Sequence, residues 1–354
     1  MKTPDLLLSS RSISDAPIQD FDIVVVDRRP LVVCVDSRGQ QALTWDPVDD
    51  HWAAHPLDNP FGPDEDESDC LLKIGAVVLD GRIVVGGGGY RQAFAQWDLE
   101  TGAVRTYIRN EHGGLARTST MDLGGRPVFI CGDSSVPAMV RLWDASQRDS
   151  LTEYEEDDEK WFEVDYRAEP TDLVTRGERG HFDSIGGLGS GTLGGHPVVI
   201  SGGVDGRVML WNIHNKELLV QFERAPIPIM GVGLATVDGR VRVVAAGSKS
   251  VLLSDPGTGT WDDRIDMPEG DDRDDEGIRC MDVGVVDGRP VAVTGAEDGT
   301  VRVWDLQGRR LLGGPLTEHK QEVFAVRVTE LGGRTVAVTA GQDCQMRVWD
   351  LGRR

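Results

Sequence analysis

The sequence predicts an all-β protein, a solenoid or propeller assembled from one reused sheet unit. Three observations predict it. Seven short β-branched runs recur, each directly behind a two-residue turn. Each run leads, at near-constant distance, to a second strand ending in Trp-Asp or a variant of it. No convincing amphipathic helix separates the copies. A single sheet of this size cannot bury both of its faces, so neighbouring copies must stack.

In chain order the runs are LVVCVD (31–36), RIVVGG (82–87), PVFICG (127–132), PVVISG (197–202), VRVVAAG (241–247), PVAVTG (290–295) and TVAVTAG (335–341). The turns before the last six are Asp80-Gly81, Gly124-Gly125, Gly194-Gly195, Asp238-Gly239, Asp287-Gly288 and Gly332-Gly333, and the first copy has Asp27-Arg28. Asp-Gly and Gly-Gly supply the positive φ that a type I′ hairpin demands. The second strands end in LTWD (43–46), AQWD (95–98), RLWD (141–144), MLWN (209–212), LLSD (252–255), VRVWD (301–305) and MRVWD (346–350). From turn to Trp, or to Ser254 in the fifth copy, the intervals are 18, 17, 19, 17, 16, 17 and 17 residues. A two-strand unit of fixed length is therefore reused, and the rest of the chain absorbs the length variation.

These signatures resemble the WD-repeat family over nearly the whole chain. The resemblance implies one domain, residues 1–354, folded as a seven-bladed β-propeller with four-stranded antiparallel blades. It also implies a structural tetrad of His, Ser or Thr, Asp and Trp. His181, Ser201, Asp205 and Trp211 match it in the fourth copy, and His319, Thr339, Asp343 and Trp349 in the seventh. The sixth keeps Thr294, Asp298 and Trp304, with Asp274 at the His position, and the third offers His112, Cys131 and Trp143. As chemistry, such a triplet would be a Ser-His-Asp nucleophile. Repeated around a fold, it reads instead as a hydrogen-bond lock between strands. The chain ends at Arg354, just past its last Trp-Asp, so the seventh blade lacks an outer strand. The family's closure implies that residues 4–10 supply it beside 346–350.

Of 354 residues, 37 are Lys or Arg and 59 Asp or Glu, a net charge of −22. Phosphate backbones and anionic membranes repel such a surface, so neither nucleic acid nor membrane is expected as partner. The five cysteines are scattered without a C-x-x-C, and there is no apolar run of membrane-spanning length. A cytoplasmic protein is expected. Six lysines against 31 arginines suggest a GC-rich bacterial, actinobacterial-like genome.

Three acidic segments break the period: 64–69, the longest at about 147–180, and 269–276. Each is expected between an outer strand and the next inner strand, so that all three converge on one rim, either as solvated loop charge that gives solubility or as a field that steers a protein partner with a basic surface. The longest also carries Trp161, Phe162 and Tyr166, as recognition anchors or as a plug on its own blade. In the family, the residue one past the first apolar position of each inner strand lines the channel mouth. Here these are Lys73, Arg117, Gly186, Met230, Arg279 and Phe324.

Catalytic motifs are scarce. Residues 189–194 match G-x-G-x-x-G, but on a strand with no helix following. His51 and His55 would lie about 13 Å apart on a strand, too far to share a metal. Residues 272–277 begin like an EF-hand loop, yet Val283 holds the twelfth position where a Glu ligand belongs. No metal site and no cofactor is expected. The reading is a non-catalytic interaction scaffold. The alternative is an enzyme or small-molecule binder using the central channel, for example in a biosynthetic pathway.

Overall fold

The computed structural model describes residues 4–11, 15–39, 41–60, 71–89, 92–109, 114–134, 138–146, 171–173, 180–268 and 277–353. All 28 elements among them are strands, in seven four-stranded antiparallel sheets. β1 (Asp5–Ser9) comes first in the chain but belongs to the last blade. Blade one is β2 (Ile18–Val26), β3 (Arg29–Asp36), β4 (Gln41–Asp46) and β5 (His51–Pro56). Blade two is β6 (Lys73–Leu79), β7 (Arg82–Gly88), β8 (Gln92–Asp98) and β9 (Val104–Arg109). Blade three is β10 (Leu115–Asp122), β11 (Pro127–Asp133), β12 (Val140–Asp144) and β13 (Thr171–Leu173). Blade four is β14 (Ile185–Leu193), β15 (His196–Gly203), β16 (Val208–Asn212) and β17 (Glu217–Gln221). Blade five is β18 (Gly231–Val237), β19 (Arg240–Gly247), β20 (Ser250–Ser254) and β21 (Trp261–Asp266). Blade six is β22 (Ile278–Val286), β23 (Arg289–Ala296), β24 (Val301–Asp305) and β25 (Arg310–Leu311). Blade seven is β26 (Val323–Leu331), β27 (Arg334–Gly341) and β28 (Met346–Arg353), completed by β1.

The first two strands of each blade meet at the turns read from the sequence. At Asp80-Gly81 the φ values are 51° and 75°, the type I′ geometry whose twist matches a hairpin. Blade one forces the same conformation on Asp27 (φ 49°) and Arg28 (φ 66°), which lack glycine's freedom.

Packing explains why the blades form a ring. The seven hydrophobic clusters each straddle a different blade boundary. One joins Phe21, Cys34 and Trp45 of blade one to Ala325, Val338 and Val348 of blade seven, so the last boundary is as apolar as the others. Trp45, Trp143, Trp304 and Trp349 are fully buried. Burying an apolar side chain of this size contributes about 1.5–3 kcal/mol, and each boundary contains several.

Blade seven closes as the sequence implies. β1 pairs with β28 in the register Asp5↔Asp350, Leu6↔Trp349, Leu8↔Val348 and Ser9↔Arg347. Ser10 extends the seam: its N–H donates to the Met346 carbonyl (2.9 Å) and its Oγ accepts the Met346 N–H (3.0 Å). An edge strand that would otherwise expose unpaired backbone is covered.

The expectation that all three acidic segments share a rim is overturned by the strand order of blade three. Its outer strand β13 follows the segment 147–170 rather than preceding it. Thr171 pairs with Leu142, so this segment leaves and rejoins the sheet at the end carrying the Gly124-Gly125 hairpin, here the lower face. Segments 61–70 and 269–276 instead join an outer strand to the next inner strand, at the opposite, upper face. Residue spacing alone does not show which connection absorbs an insertion, and β13 has only three residues and no strand signature. The acidic runs themselves, with Trp161, Phe162 and Tyr166, lie outside the described residues.

Candidate functional site

Two kinds of polar cluster sit inside the ring: hydrogen-bond locks within the blades, and charged groups along the central tunnel. In blade four, His181 Nε2 lies 2.8 Å from Ser201 Oγ, which also accepts the Trp211 indole N–H at 3.2 Å. Asp205 stands 3.5 Å from His181 Nδ1 and accepts the Phe182 backbone N–H at 2.8 Å. Blade seven is tighter. His319 Nε2 is 2.8 Å from Thr339 Oγ1, Trp349 donates to the same oxygen at 2.8 Å, and Asp343 is 3.0 Å from Nδ1. Arg347 adds an ion pair to Asp343 at 2.7 Å. Burial opposes ionisation of Asp343, but the bonds from His319 and Arg347 outweigh it and hold the carboxyl down at about 2. Burial also lowers His319, against the pull of Asp343, so its ring stays neutral near pH 7.

Ser201 and Thr339 are 0% exposed. A substrate has no route to either hydroxyl, so the triplets are placed to lock strands rather than to attack a bond. Blade six has part of the lock: Trp304 donates to Thr294 at 2.9 Å, and Asp298 is bonded by Thr300 and paired with Arg302. Its His counterpart, Asp274, and His112 of blade three lie outside the described residues. His55 bonds Thr44 Oγ1 across β4 and β5 at 3.0 Å.

The inner strands surround a cavity of about 230 Å³. Its wall includes Lys73, Arg117, Met230 and Phe324, four of the positions singled out by the sequence. Arg279 is placed differently: its guanidinium pairs with Glu322 (2.5 Å) and Glu297 (3.2 Å) on the upper face. Gly186 contributes its carbonyl, which accepts Arg117 Nε at 2.7 Å, while Arg117 Nη2 reaches the Arg279 carbonyl at 3.3 Å. One side chain of blade three thus ties blades four and six together over the tunnel. At blades four and five the inner strands approach so closely that a Cβ on Gly187 would sit 2.8 Å from the Cα of Gly231. Glycine is required there.

Four charged wall residues escaped the sequence reading: Asp20, Asp22, Asp282 and Arg327. Asp22 accepts the N–H groups of Ile23 (2.9 Å) and Ala76 (3.0 Å) and the Thr120 hydroxyl (3.1 Å), joining three inner strands. Asp20 repeats the pattern with Phe21, Ile74 and Thr118. Asp282 accepts the N–H groups of Val283 (2.8 Å) and Val328 (2.7 Å). Arg327 stands 3.8 Å from Asp20 and 4.0 Å from Asp22. Burial raises the carboxyls of Asp22 and Asp282, with Arg327 opposing. For Arg327 burial acts against the charge, but the three carboxylates outweigh it and raise its pKa. The signal was present in IQDFDIVVV and VFAVRVTEL, where charges interrupt otherwise apolar inner strands.

Among the described residues, no three His, Cys, Asp or Glu side chains are grouped to hold a metal ion. No helix among them is long and apolar enough to cross a membrane.

Comparison with known proteins agrees with this geometry. The family of the WD domain, G-beta repeat (WD40) matches residues 272–305, the stretch that ends with β24 of blade six. The solved WD40 β-propeller domain of Doa1 superposes with a TM-score of 0.67 at 16% sequence identity, covering 99% of this chain and 98% of that one. No curated protein matches the chain. Residues 272–305 are thus similar to a WD40 repeat, and the ring has the fold of a seven-bladed WD40 β-propeller.

Proposed function

We propose that the protein is a non-catalytic scaffold, presenting the upper face of its ring to a protein partner with a basic surface. The observation that carries this reading is the bridge of Arg117 to the carbonyls of Gly186 and Arg279. It narrows the tunnel and fixes blades three, four and six against one another. What remains is a rigid face, edged by Phe324 and the Arg279–Glu297–Glu322 cluster. A broad, preformed face suits a macromolecular partner, which binds without paying much ordering entropy. The net charge of −22, with acidic segments 61–70 and 269–276 joined to this face, steers basic partners and repels nucleic acid and anionic membranes. Trp161, Phe162 and Tyr166 serve as a separate anchor, since their segment departs from the lower face. The buried free thiols of Cys34, Cys131 and Cys280 fit a reducing cytoplasm.

Affinity capture from the native host tests this, comparing the wild type, Arg279→Ala/Phe324→Ala and a form lacking residues 150–168, which keeps β13. One protein should co-purify with the wild type, be released by salt and be lost with the double variant. Equal capture by the double variant removes the upper face from the reading. Absence of any partner removes the scaffold.

A further inference from the structure

The tunnel wall carries three cations and three carboxylates, but they are not matched evenly. Asp20, Asp22 and Asp282 are occupied by backbone N–H groups of their own and neighbouring blades, with Thr118 and Thr120 on the first two. Arg327 sits beside Asp20 and Asp22. The two remaining cations, Lys73 of blade two and Arg117 of blade three, have no such partner. Arg117 bonds only carbonyls, those of Gly186, Ala116 and Arg279, and pairs with no carboxylate among the described residues. A guanidinium has five N–H donors, so two are left over. Lys73 lines the cavity, and its side chain makes no hydrogen bond or ion pair with any described residue.

Both side chains are half-buried and line one cavity, so the ammonium and the spare guanidinium donors are open to an anionic ligand entering it. Burial, reinforced by the charge of Arg117, brings the Lys73 pKa down to about 8. Met230 and Phe324 give the otherwise polar wall apolar surface on the facing blades.

We propose that the tunnel is a binding site for a small organic anion, whose carboxylate or phosphate oxygens sit between Lys73 Nζ and the spare donors of Arg117 while a short apolar stem lies against Met230 and Phe324. The cavity of about 230 Å³ is smaller than the usual 300–1,000 Å³ of a drug-sized pocket, which limits the ligand to a compact molecule and excludes nucleotides. The three carboxylates deeper in the wall likewise exclude a polyanion. The overall charge of −22 opposes anions at long range, but it is screened by salt, whereas two cations at contact distance in a low dielectric are not. This site shares Arg117 and Phe324 with the partner face, but Lys73 plays no part in that face, so substitution of Lys73 tests the anion site alone.

Isothermal calorimetry on the full chain, in chloride-free buffer at pH 7, uses butyrate and inorganic phosphate as separate probes. Saturable one-site binding of either is expected, and the tighter of the two identifies the headgroup. Lys73→Met, which keeps the volume and removes the charge, should weaken that binding at least tenfold without lowering the thermal unfolding midpoint. If Lys73→Met folds poorly, Lys73→Gln takes its place with the same expected loss. Butyrate affinity of the wild type should also fall as pH rises past about 8, because the group facing Asp20, Arg117, Cys280 and Arg327 then loses its proton. No saturable heat with either probe, or unchanged affinity after the Lys73 substitution, overturns the proposal.

Discussion

Blades four and seven solve the same problem differently from blades one, two, three and five. The problem is a buried indole N–H, which must find an acceptor or cost the fold about 1–3 kcal/mol. Strand register identifies one position on the second strand of each blade, two residues past the one paired with the Trp (or with Ser254): Cys34, Gly87, Cys131, Ser201, Ala245, Thr294 and Thr339 in order. Where it is Ser or Thr, the indole bonds within its own blade. Elsewhere it looks outward. Trp45 donates to Asp50 at 3.0 Å, and Trp97 to the Asp58 carbonyl behind blade one at 2.9 Å. Blade five has Ser254 in place of the Trp, and Trp261 on its outer strand donates to the Glu223 carbonyl behind blade four at 2.8 Å. The ring thus tolerates loss of the lock: blades one and two use another acceptor, and in blade three packing alone holds the indole.

The largest effect that would sharpen this comparison is expected at His319. Replacing it with Leu leaves the Thr339 hydroxyl short of one partner and the Asp343 carboxylate with only Arg347 and the Lys320 N–H. Two groups at about 1–3 kcal/mol each, one buried and one half-buried, give a loss of about 2–6 kcal/mol, read from chemical denaturation. A cost below about 1 kcal/mol would break the comparison, since blade seven would then need its lock no more than blade five needs one.

Thr294→Val in blade six should cost less, about 1–3 kcal/mol. The shape is kept, and the loss is confined to the acceptor 2.9 Å from Trp304. Because no His of this blade is among the described residues, the change isolates the indole bond from the rest of the tetrad. Equal unfolding midpoints for Thr294→Val and wild type would show that the Trp304 indole draws nothing from this hydroxyl.

Much of this contrast is legible in the sequence, because it is local. His181, Ser201, Asp205 and Trp211 fall at spacings of 20, 4 and 6 residues, and 319, 339, 343 and 349 repeat them. Such periodicity survives because each blade is one supersecondary unit. The tunnel was less legible. Lys73, Arg117 and Phe324 were found by their place on the inner strands, but Asp22 is explained by Ala76, 54 residues away, and by Thr120, 98 away. Arg279 turns to the upper face because Glu322, 43 residues on, takes its guanidinium. These pairings arise only when the ring closes, and no window of sequence displays them. The path of the 147–170 segment was missed for a related reason. An outer strand of three residues leaves no pattern.

The smallest expected effect has the opposite sign and comes from blade three, where the contrast is incomplete. Trp143 is 1% exposed, and its Nε1 has no hydrogen-bond partner among the described residues. It keeps its ring stacked on Phe94 at a centroid distance of 4.8 Å, so packing alone secures it. The lock position beside it holds Cys131, whose sulfur is a poor acceptor. Cys131→Ser changes little in volume and puts an oxygen where Ser201 meets Trp211 in blade four. A gain of about 0.5–1.5 kcal/mol in unfolding free energy is expected. The indole emission of the folded protein should respond as well, since Trp143 would pass from an unbonded to a bonded state. If the hydroxyl is instead buried without reaching Nε1, the protein loses stability, because a second orphaned polar group has been added. The sign of this one change therefore tests whether the orphaned indole of blade three is a vacancy in the lock or a site that packing has made independent of it.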